Sequence, residues 1–315
     1  MADYSEFHDE LRSVAGDLLA KDRDISWPVL IDAGWVGLEV PEEYGGAGAT
    51  FAETAVVCEE IGRAASANSY LGSAVLAVAT LNTLQPSETR AGLLVDVASG
   101  EARVAVALES DFVPDAEGAD KVLVVSGDGV AVTTPTVTAR PVLDETRRLA
   151  TVTAVDTADV LRFAGDPASA IGRLRNRAAV AIACDSLGLA EAMLSATVGY
   201  AKVRQQFGRP IGSFQAVKHA CADMLVDIAV SRQLVSAAVQ AIVDDTFDAE
   251  VAAAMAKSHA CDKAVRIVGK AMQLHGGIGY TWESGIHVYL KRAALNRSLF
   301  GSPSAHRKHL AQRYL

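Results

Sequence analysis

Apolar residues recur at helical spacing over most of this chain, and the interval between them changes near residue 101. Phe7, Leu11, Val14, Ala15, Leu18 and Leu19 form a stripe that predicts an amphipathic helix. Glycine and proline punctuate residues 32–48, which read as a compact loop. Helices are predicted over 51–63 and 71–84, with a shorter one over 88–99. The pattern then becomes short, β-branched and interrupted by Gly, Asp and Pro. Residues 103–108, 121–125, 129–133 and 148–153 read as strands. The helical period returns with one long helix over 168–204. A second follows over 216–244, with Val217, Cys221, Met224, Ile228, Val235 and Ile242 on one face. A third covers 248–275, a fourth 283–299, and 301–314 forms a tail. The expected fold is mainly α with a small β section: a helical domain over 1–100, a β domain over 101–165 and a four-helix bundle over 166–315.

Composition narrows the setting. At 315 residues the chain can bury a large core and form about two domains. Half its residues are hydrophobic and the mean hydropathy is +0.20, which argues against disorder. A net charge of −9 argues against nucleic acid as the main partner, while leaving room for local phosphate-binding patches. Cys58, Cys184, Cys221 and Cys261 lie far apart within helical patterns and read as small buried hydrophobes in a reducing compartment. The first ten residues are acidic and carry no apolar signal region. No charge-free run of about 18 apolar residues occurs, so no membrane span is predicted and a cytoplasmic location is expected.

Two segments concentrate the candidate chemistry. Arg204-Gln-Gln-Phe-Gly-Arg-Pro-Ile-Gly-Ser-Phe-Gln215 sits between two predicted helices, and Gln273-Leu-His-Gly-Gly-Ile-Gly-Tyr280 follows the third. Each joins a polar anchor to glycines. A guanidinium fork suits phosphate oxygens, and glycines let a backbone come close and turn its N–H groups toward an anion. The pair points to a large anionic cofactor held between helices. Each has a plainer reading as well: Arg204 as a charge at a helix C-terminus, Gly276-Gly277 as a helix cap. Glu59 and Glu60 diverge in direction on a helix and read as solvated or packing residues. His259, His275, His287, His306 and His309 have no metal-like spacing. Arg173, Arg175, Asn176 and Arg177 could meet phosphates or be exposed charge, and Lys291, Arg292 and Arg297 read the same way.

Four segments in order carry a resemblance. Gly34-Trp-Val-Gly-Leu-Glu-Val-Pro-Glu-Glu-Tyr-Gly-Gly-Ala-Gly48, Cys58-Glu-Glu-Ile-Gly-Arg63, Arg204-x-x-Phe-Gly-x-Pro-Ile211 and Gln273-x-x-Gly-Gly-x-Gly-Tyr280 are similar to segments of the acyl-CoA dehydrogenase family. The resemblance covers nearly the whole chain. It implies FAD lying across a subunit interface, its ring on the β domain of one protomer and its pyrophosphate and adenine on the C-terminal helices of the neighbour. Carried over, Arg204 meets the pyrophosphate, Phe207 packs near the adenine, Gln215 hydrogen-bonds the cofactor, and Gln273, Gly276 and Gly277 complete the cradle.

Two departures from the family pattern matter. The β section starts like the family's flavin-ring segment at Val106-Ala-Leu-Glu-Ser110 but passes directly to the next strand, without several dozen of the usual residues. Trp27, Trp35 and Trp282 all lie outside it. A section this short is expected not to hold its own flavin ring. The second departure is the base. The family's reaction takes an α-proton beside a thioester, and a carboxylate must reach it. The matching position, before Gly301-Ser302, is Phe300. Some members place the acid on the earlier helix, where this chain has Asp262, fourteen residues before Gly276. Asp262 is thus a candidate base, one methylene short of a glutamate, or a surface aspartate paired with Arg266 at i+4.

The expectation is a reduced subunit that resembles those of actinobacterial, steroid-degrading heteromeric acyl-CoA dehydrogenases. It would pair with a full-length acyl-CoA dehydrogenase subunit in an α2β2 tetramer acting on an acyl-CoA. The alternatives are a self-sufficient homo-oligomer using Asp262, and a scaffold that no longer binds FAD.

Overall fold

The computed structural model describes residues 5–109, 111–134, 136–153 and 159–312. The first helical part holds α1 (Ser5–Leu19), α2 (Trp27–Asp32), α3 (Phe51–Ala64), a π-helical stretch Leu71–Ala77 running into α4 (Val78–Asn82), and α5 (Glu88–Ser99). Local sequence sets their ends. Thr50 caps α3 in a capping box: its hydroxyl accepts from the Ala52 N–H, and its own N–H donates to Glu53 Oε2 at 2.8 Å. The short α2 carries no periodic stripe in the sequence; Pro28 stands in its first turn, where a missing N–H costs nothing.

The β section forms two small sheets. β1 (Val104–Ala107), β3 (Lys121–Ser126), β4 (Gly129–Thr133) and β7 (Asp159–Leu161) lie in the order β1-β3-β4-β7. The first pair is parallel and the others antiparallel. β2 (Val113–Pro114), β5 (Thr136–Arg140) and β6 (Leu149–Thr153) make an antiparallel sheet in the order β2-β6-β5. Small residues pack the sheets together: Ala105, Ala107 and Val122 meet Val113, Ala150 and Val152 in a separate core cluster.

The second helical part holds α6 (Pro167–Val203), α7 (Gln215–Val243), α8 (Ala249–His275), α9 (Ile286–Ser298) and α10 (Pro303–Gln312). Helix α6 is the spine, packed by α3, α7 and α8. Both α6 and α7 are long and apolar enough, by length and composition, to cross a membrane. Most of α6 is nevertheless buried as a core helix. By contrast α7 turns Leu225, Val226 and Val230 outward, with Val226 62% exposed.

α3 and α6 touch backbone to backbone. A Cβ added to Gly62 would lie 2.0 Å from the Asp185 carbonyl oxygen, and one added to Gly188 would lie 1.9 Å from that of Glu59. This close crossing brings buried charge together. Glu59 and Glu60, read above as solvated or packing residues, are buried and ion-paired with Arg63, and Arg232 on α7 also reaches Glu59. On the other side of α6, Asp185 accepts from Arg292 Nε at 3.0 Å and Nη2 at 2.6 Å, from Arg147 Nη2 at 2.9 Å and from Asn296 Nδ2 at 2.6 Å. Arg292 also donates to the Ser66 carbonyl and to Thr146 Oγ1, each at 2.7 Å. Read from sequence as a phosphate contact or an exposed charge, Arg292 is 1% exposed. Arg177 is buried too, donating to the Val75 carbonyl and Glu39 and lying over the Phe51 ring.

Burial alone would raise the Asp185 carboxyl, but Arg292, Arg147 and the hydrogen bonds from Arg292 and Asn296 outweigh it and hold it below its ordinary value. Asp185→Ala leaves buried guanidiniums without their anion and should cost about 3–5 kcal/mol in urea unfolding. Because the native carboxyl is depressed, the wild-type advantage is complete above a pH of about 4 and fades as pH falls through the lower native value. Gly188→Ala forces α3 away from α6 and should cost about 1–3 kcal/mol in the same measurement.

Candidate functional site

The two predicted motifs sit at one end of the bundle, where α6 and α8 finish and α7 begins. Helix α6 ends at Val203, and Arg204 turns extended, its N–H still donating to the Tyr200 carbonyl at 2.9 Å. Gln205–Gln206 and Arg209–Pro210 then pair as a minimal hairpin. Its tip is Phe207-Gly208, with φ of +53° and +74°; positive values at both central residues are those of a type I′ turn. Gly208 takes this without strain, whereas Phe207 does not. Phe207 is 91% exposed and meets Phe214 edge-to-face at 6.1 Å, with Arg209 over the other ring. Gln215 is exposed in the first turn of α7, at the positive end of the helix dipole.

The second motif closes α8. Gln273 is exposed, its Oε1 accepting from Lys270 Nζ at 3.2 Å. Gly276 has φ +63° and breaks the helix. A Cβ added to Gly276 or Gly277 would meet nothing within 4 Å, so their backbone faces open space. Gly279 differs: its Cβ would lie 2.3 Å from the Met272 carbonyl oxygen, so it packs the turn onto α8. The rings of Tyr200 and His275 stack at 4.4 Å and tie the end of α6 to the end of α8. Arg204 has no ion pair or side-chain hydrogen bond among the described residues. An unpaired guanidinium, a helix N-terminus and open glycine backbone share one exposed bundle end, a donor set suited to an anionic group.

Phe300 lies elsewhere, in the turn between α9 and α10, with φ of +55°. It lines a cleft with Val106, Leu108, Leu149, Leu295 and Leu299, together with Glu109 and Asp111, so the position that the sequence resemblance matches to the family's base carries a phenyl ring there. Asp262 is not among the residues that line this cleft. It pairs with Arg297 Nε on α9 at 3.5 Å rather than with Arg266. Among the four flagged residues of α6, Arg175 and Asn176 reach the cleft region, Arg173 bonds Ser169, and Arg177 is structural.

The sequence reading misses Lys257. It is fully buried and donates to the carbonyls of Asn296 at 2.9 Å and Gly301 at 2.8 Å, fixing the turn that carries Phe300. Its signal is a lysine on the buried stripe Ala253, Ala256, Ala260, Ala264, a place where an unpaired charge is costly. Three cysteines are buried, Cys221 is half-buried, and no metal-binding cluster occurs among the described residues.

The acyl-CoA dehydrogenase N-terminal domain matches residues 6–101 and the acyl-CoA dehydrogenase C-terminal domain residues 169–315. Acyl-CoA dehydrogenase IpdE2 of Mycobacterium tuberculosis is 37% identical over 291 residues, covering 90% of this chain and 86% of that protein. A Tcur3481–Tcur3483 steroid ACAD variant superposes with a TM-score of 0.88 at 26% identity over 98% of both chains. The ChsE4–ChsE5 complex from Mycobacterium tuberculosis superposes with a TM-score of 0.86 at 25% identity over 99% of both. With both of the family's helical domains in order and a relative of this identity over 90% of this chain, the chain belongs to the acyl-CoA dehydrogenase family.

Proposed function

We propose that this chain is one subunit of a heteromeric, FAD-dependent acyl-CoA dehydrogenase, and that it grips the pyrophosphate and adenine side of a flavin whose ring lies on a full-length partner. The observation that carries the proposal is a contrast within the chain. An open donor set stands at the bundle end, while the cleft at the family's base position holds Phe300 in place of a carboxylate. Arg204 would clamp the pyrophosphate, Gly276 and Gly277 would direct N–H groups at it, Gln273 and Gln215 would add hydrogen bonds, and Phe207 would lie against the adenine. FAD, when bound, supplies the acceptor for the hydride leaving the thioester's β-carbon. The proton of the α-carbon goes to a carboxylate of the partner. Two further features favour a second chain: the apolar face of α7 around Leu225, Val226 and Val230, and the likeness to the ChsE4–ChsE5 complex. The likeness to the steroid ACAD favours a steroid-derived acyl group.

Co-expression with a full-length family member should yield an α2β2 complex with one FAD per pair of chains, and Arg204→Ala in this chain should lower its flavin content. A yellow, active homo-oligomer of this chain alone would overturn the reading. In the same complex, Asp262→Asn should leave kcat and flavin content unchanged, because that carboxylate faces Arg297. Loss of kcat with flavin retained would instead move the base onto this chain.

A further inference from the structure

Each end of β1 opens on a cavity. Leu108 and Glu109, just past its last residue, line the cleft at Phe300. Arg103, just before its first residue, lines a separate space of about 380 Å³, which shares no lining residue with that cleft. Three parts of the chain enclose this space. The entry to α2 brings Asp24, Ser26 and Trp27, and the segment after α3 brings Ser69. The β section brings Arg103, Asp115, Glu117, Glu145 and Arg148. The volume is on the scale of small-molecule sites, which run to several hundred Å³.

The lining carries both signs of charge: Asp24, Asp115, Glu117 and Glu145 against Arg103 and Arg148. Glu145 is engaged by Lys291 Nζ at 3.0 Å. The side chains of Asp24, Arg103, Glu117 and Arg148 make no hydrogen bond or ion pair among the described residues. Asp115 is the fixed point of the wall. It has φ of +58°, its N–H donates to the Arg148 carbonyl at 3.0 Å, and its Oδ2 accepts from the Gly72 N–H at 2.7 Å. A Cβ added to Gly72 would lie 2.8 Å from the Asp115 Cβ and 2.9 Å from the Pro114 carbonyl oxygen, so this turn presses directly on the π-helical stretch. Asp115 Oδ1 has no donor among the described residues. Burial outweighs the Gly72 N–H and the charges of Arg147, Arg148 and Arg292, and lifts the carboxyl to about 6. At neutral pH the fold therefore keeps an ionised carboxylate at a cost, on a strained residue in the wall of a polar cavity. Strain and perturbed acidity of this kind gather at functional sites, and a cation brought by a ligand would offset the cost.

We propose that this cavity binds a small zwitterion, its ammonium on Asp115 and its carboxylate on Arg103 and Arg148, and that the bound molecule ties the first helical part to the β section. A purely anionic ligand would face the carboxylates of the lining, and a purely cationic one its guanidiniums; like charges brought together are costly. A molecule with both charges meets an opposite charge at each end. The inference draws on neither the flavin, the acyl-CoA nor the partner chain, so it stands or falls apart from the proposed function.

The test is isothermal titration of the full chain with three four-carbon probes: 4-aminobutyrate, succinate and putrescine. The zwitterion 4-aminobutyrate should bind about tenfold more tightly than the dianion or the dication, and should raise the thermal midpoint of unfolding. Arg148→Gln alters an exposed side chain. Asp115→Asn keeps an oxygen for the Gly72 N–H and suits a positive φ. Each should weaken binding of 4-aminobutyrate about tenfold, with circular dichroism unchanged. If Asp115→Asn fails to fold, Arg148→Gln decides alone. No binding of 4-aminobutyrate, equal or tighter binding of succinate or putrescine, or unchanged affinity in a folded variant would overturn the proposal.

Discussion

Asp185 carries a negative charge in the middle of an apolar helix, and it can do so only because distant parts of the chain reach it with donors. Helix α9 sends Arg292 and Asn296, and the loop before β6 sends Arg147. Arg292 spends its remaining N–H bonds on the Ser66 carbonyl, just past α3, and on Thr146. Taking a carboxylate out of water costs several kcal/mol, and no one partner offsets that. The helical parts and the β section are therefore fixed to α6 by a single unit of charge. Gly62 and Gly188 are part of the same constraint. Without side chains there, α3 lies directly on the turn of α6 that holds Asp185, and Ser66 comes within reach of Arg292.

From this anchor the constraint passes along α9. Arg292 and Asn296 set the helix on α6, and Lys257 then holds its C-terminal end, where unsatisfied carbonyls favour a cation. Lys257 has no carboxylate partner among the described residues; the carbonyl oxygens of Asn296, Arg297 and Gly301 meet its charge, with the Cys261 thiol beside it. Burial pulls its pKa below the ordinary value. The turn bearing Phe300 is thus positioned by Lys257 directly and by Arg292 through the seating of α9 on α6.

Much of this fold is legible in the sequence, because α6, α7 and α8 are long enough for the helical period to show and Gly276 marks where one of them stops. The strands β2, β5 and β7 escape notice: β2 has two buried residues, and β5 and β7, of five and three, are mostly exposed, so none carries an alternation to read. The π-helical turn at Leu71–Ala77 reads as ordinary helix, since both leave the same apolar stretch. Charged residues mislead most. Arg292, Arg177 and Glu59 look like solvent-facing positions because partners of each lie on other elements, far away in sequence. For the same reason Asp262 turns to Arg297 rather than to the neighbour one turn along. At the bundle end, sequence places Arg204, Gln215 and the glycines at helix termini. It cannot show that Gly276 and Gly277 face open space while Gly279 faces Met272.

The bundle end also holds conformational cost that the single chain does not recover. Phe207 occupies the left-handed region, which costs a side-chain-bearing residue about 1–2 kcal/mol. The residue is then left 91% exposed, its ring meeting Phe214 edge-to-face. Arg204 beside it makes no ion pair or side-chain hydrogen bond among the described residues, and Leu225, Val226 and Val230 of α7 face outward. A free-standing fold gains nothing from any of these. They become favourable together if the exposed ring, the guanidinium and the apolar face are covered at one moment by a second chain and the ligand it carries. In that event the strain at Phe207 is preorganisation, since the ring already stands where a planar group would stack and loses little further freedom on binding.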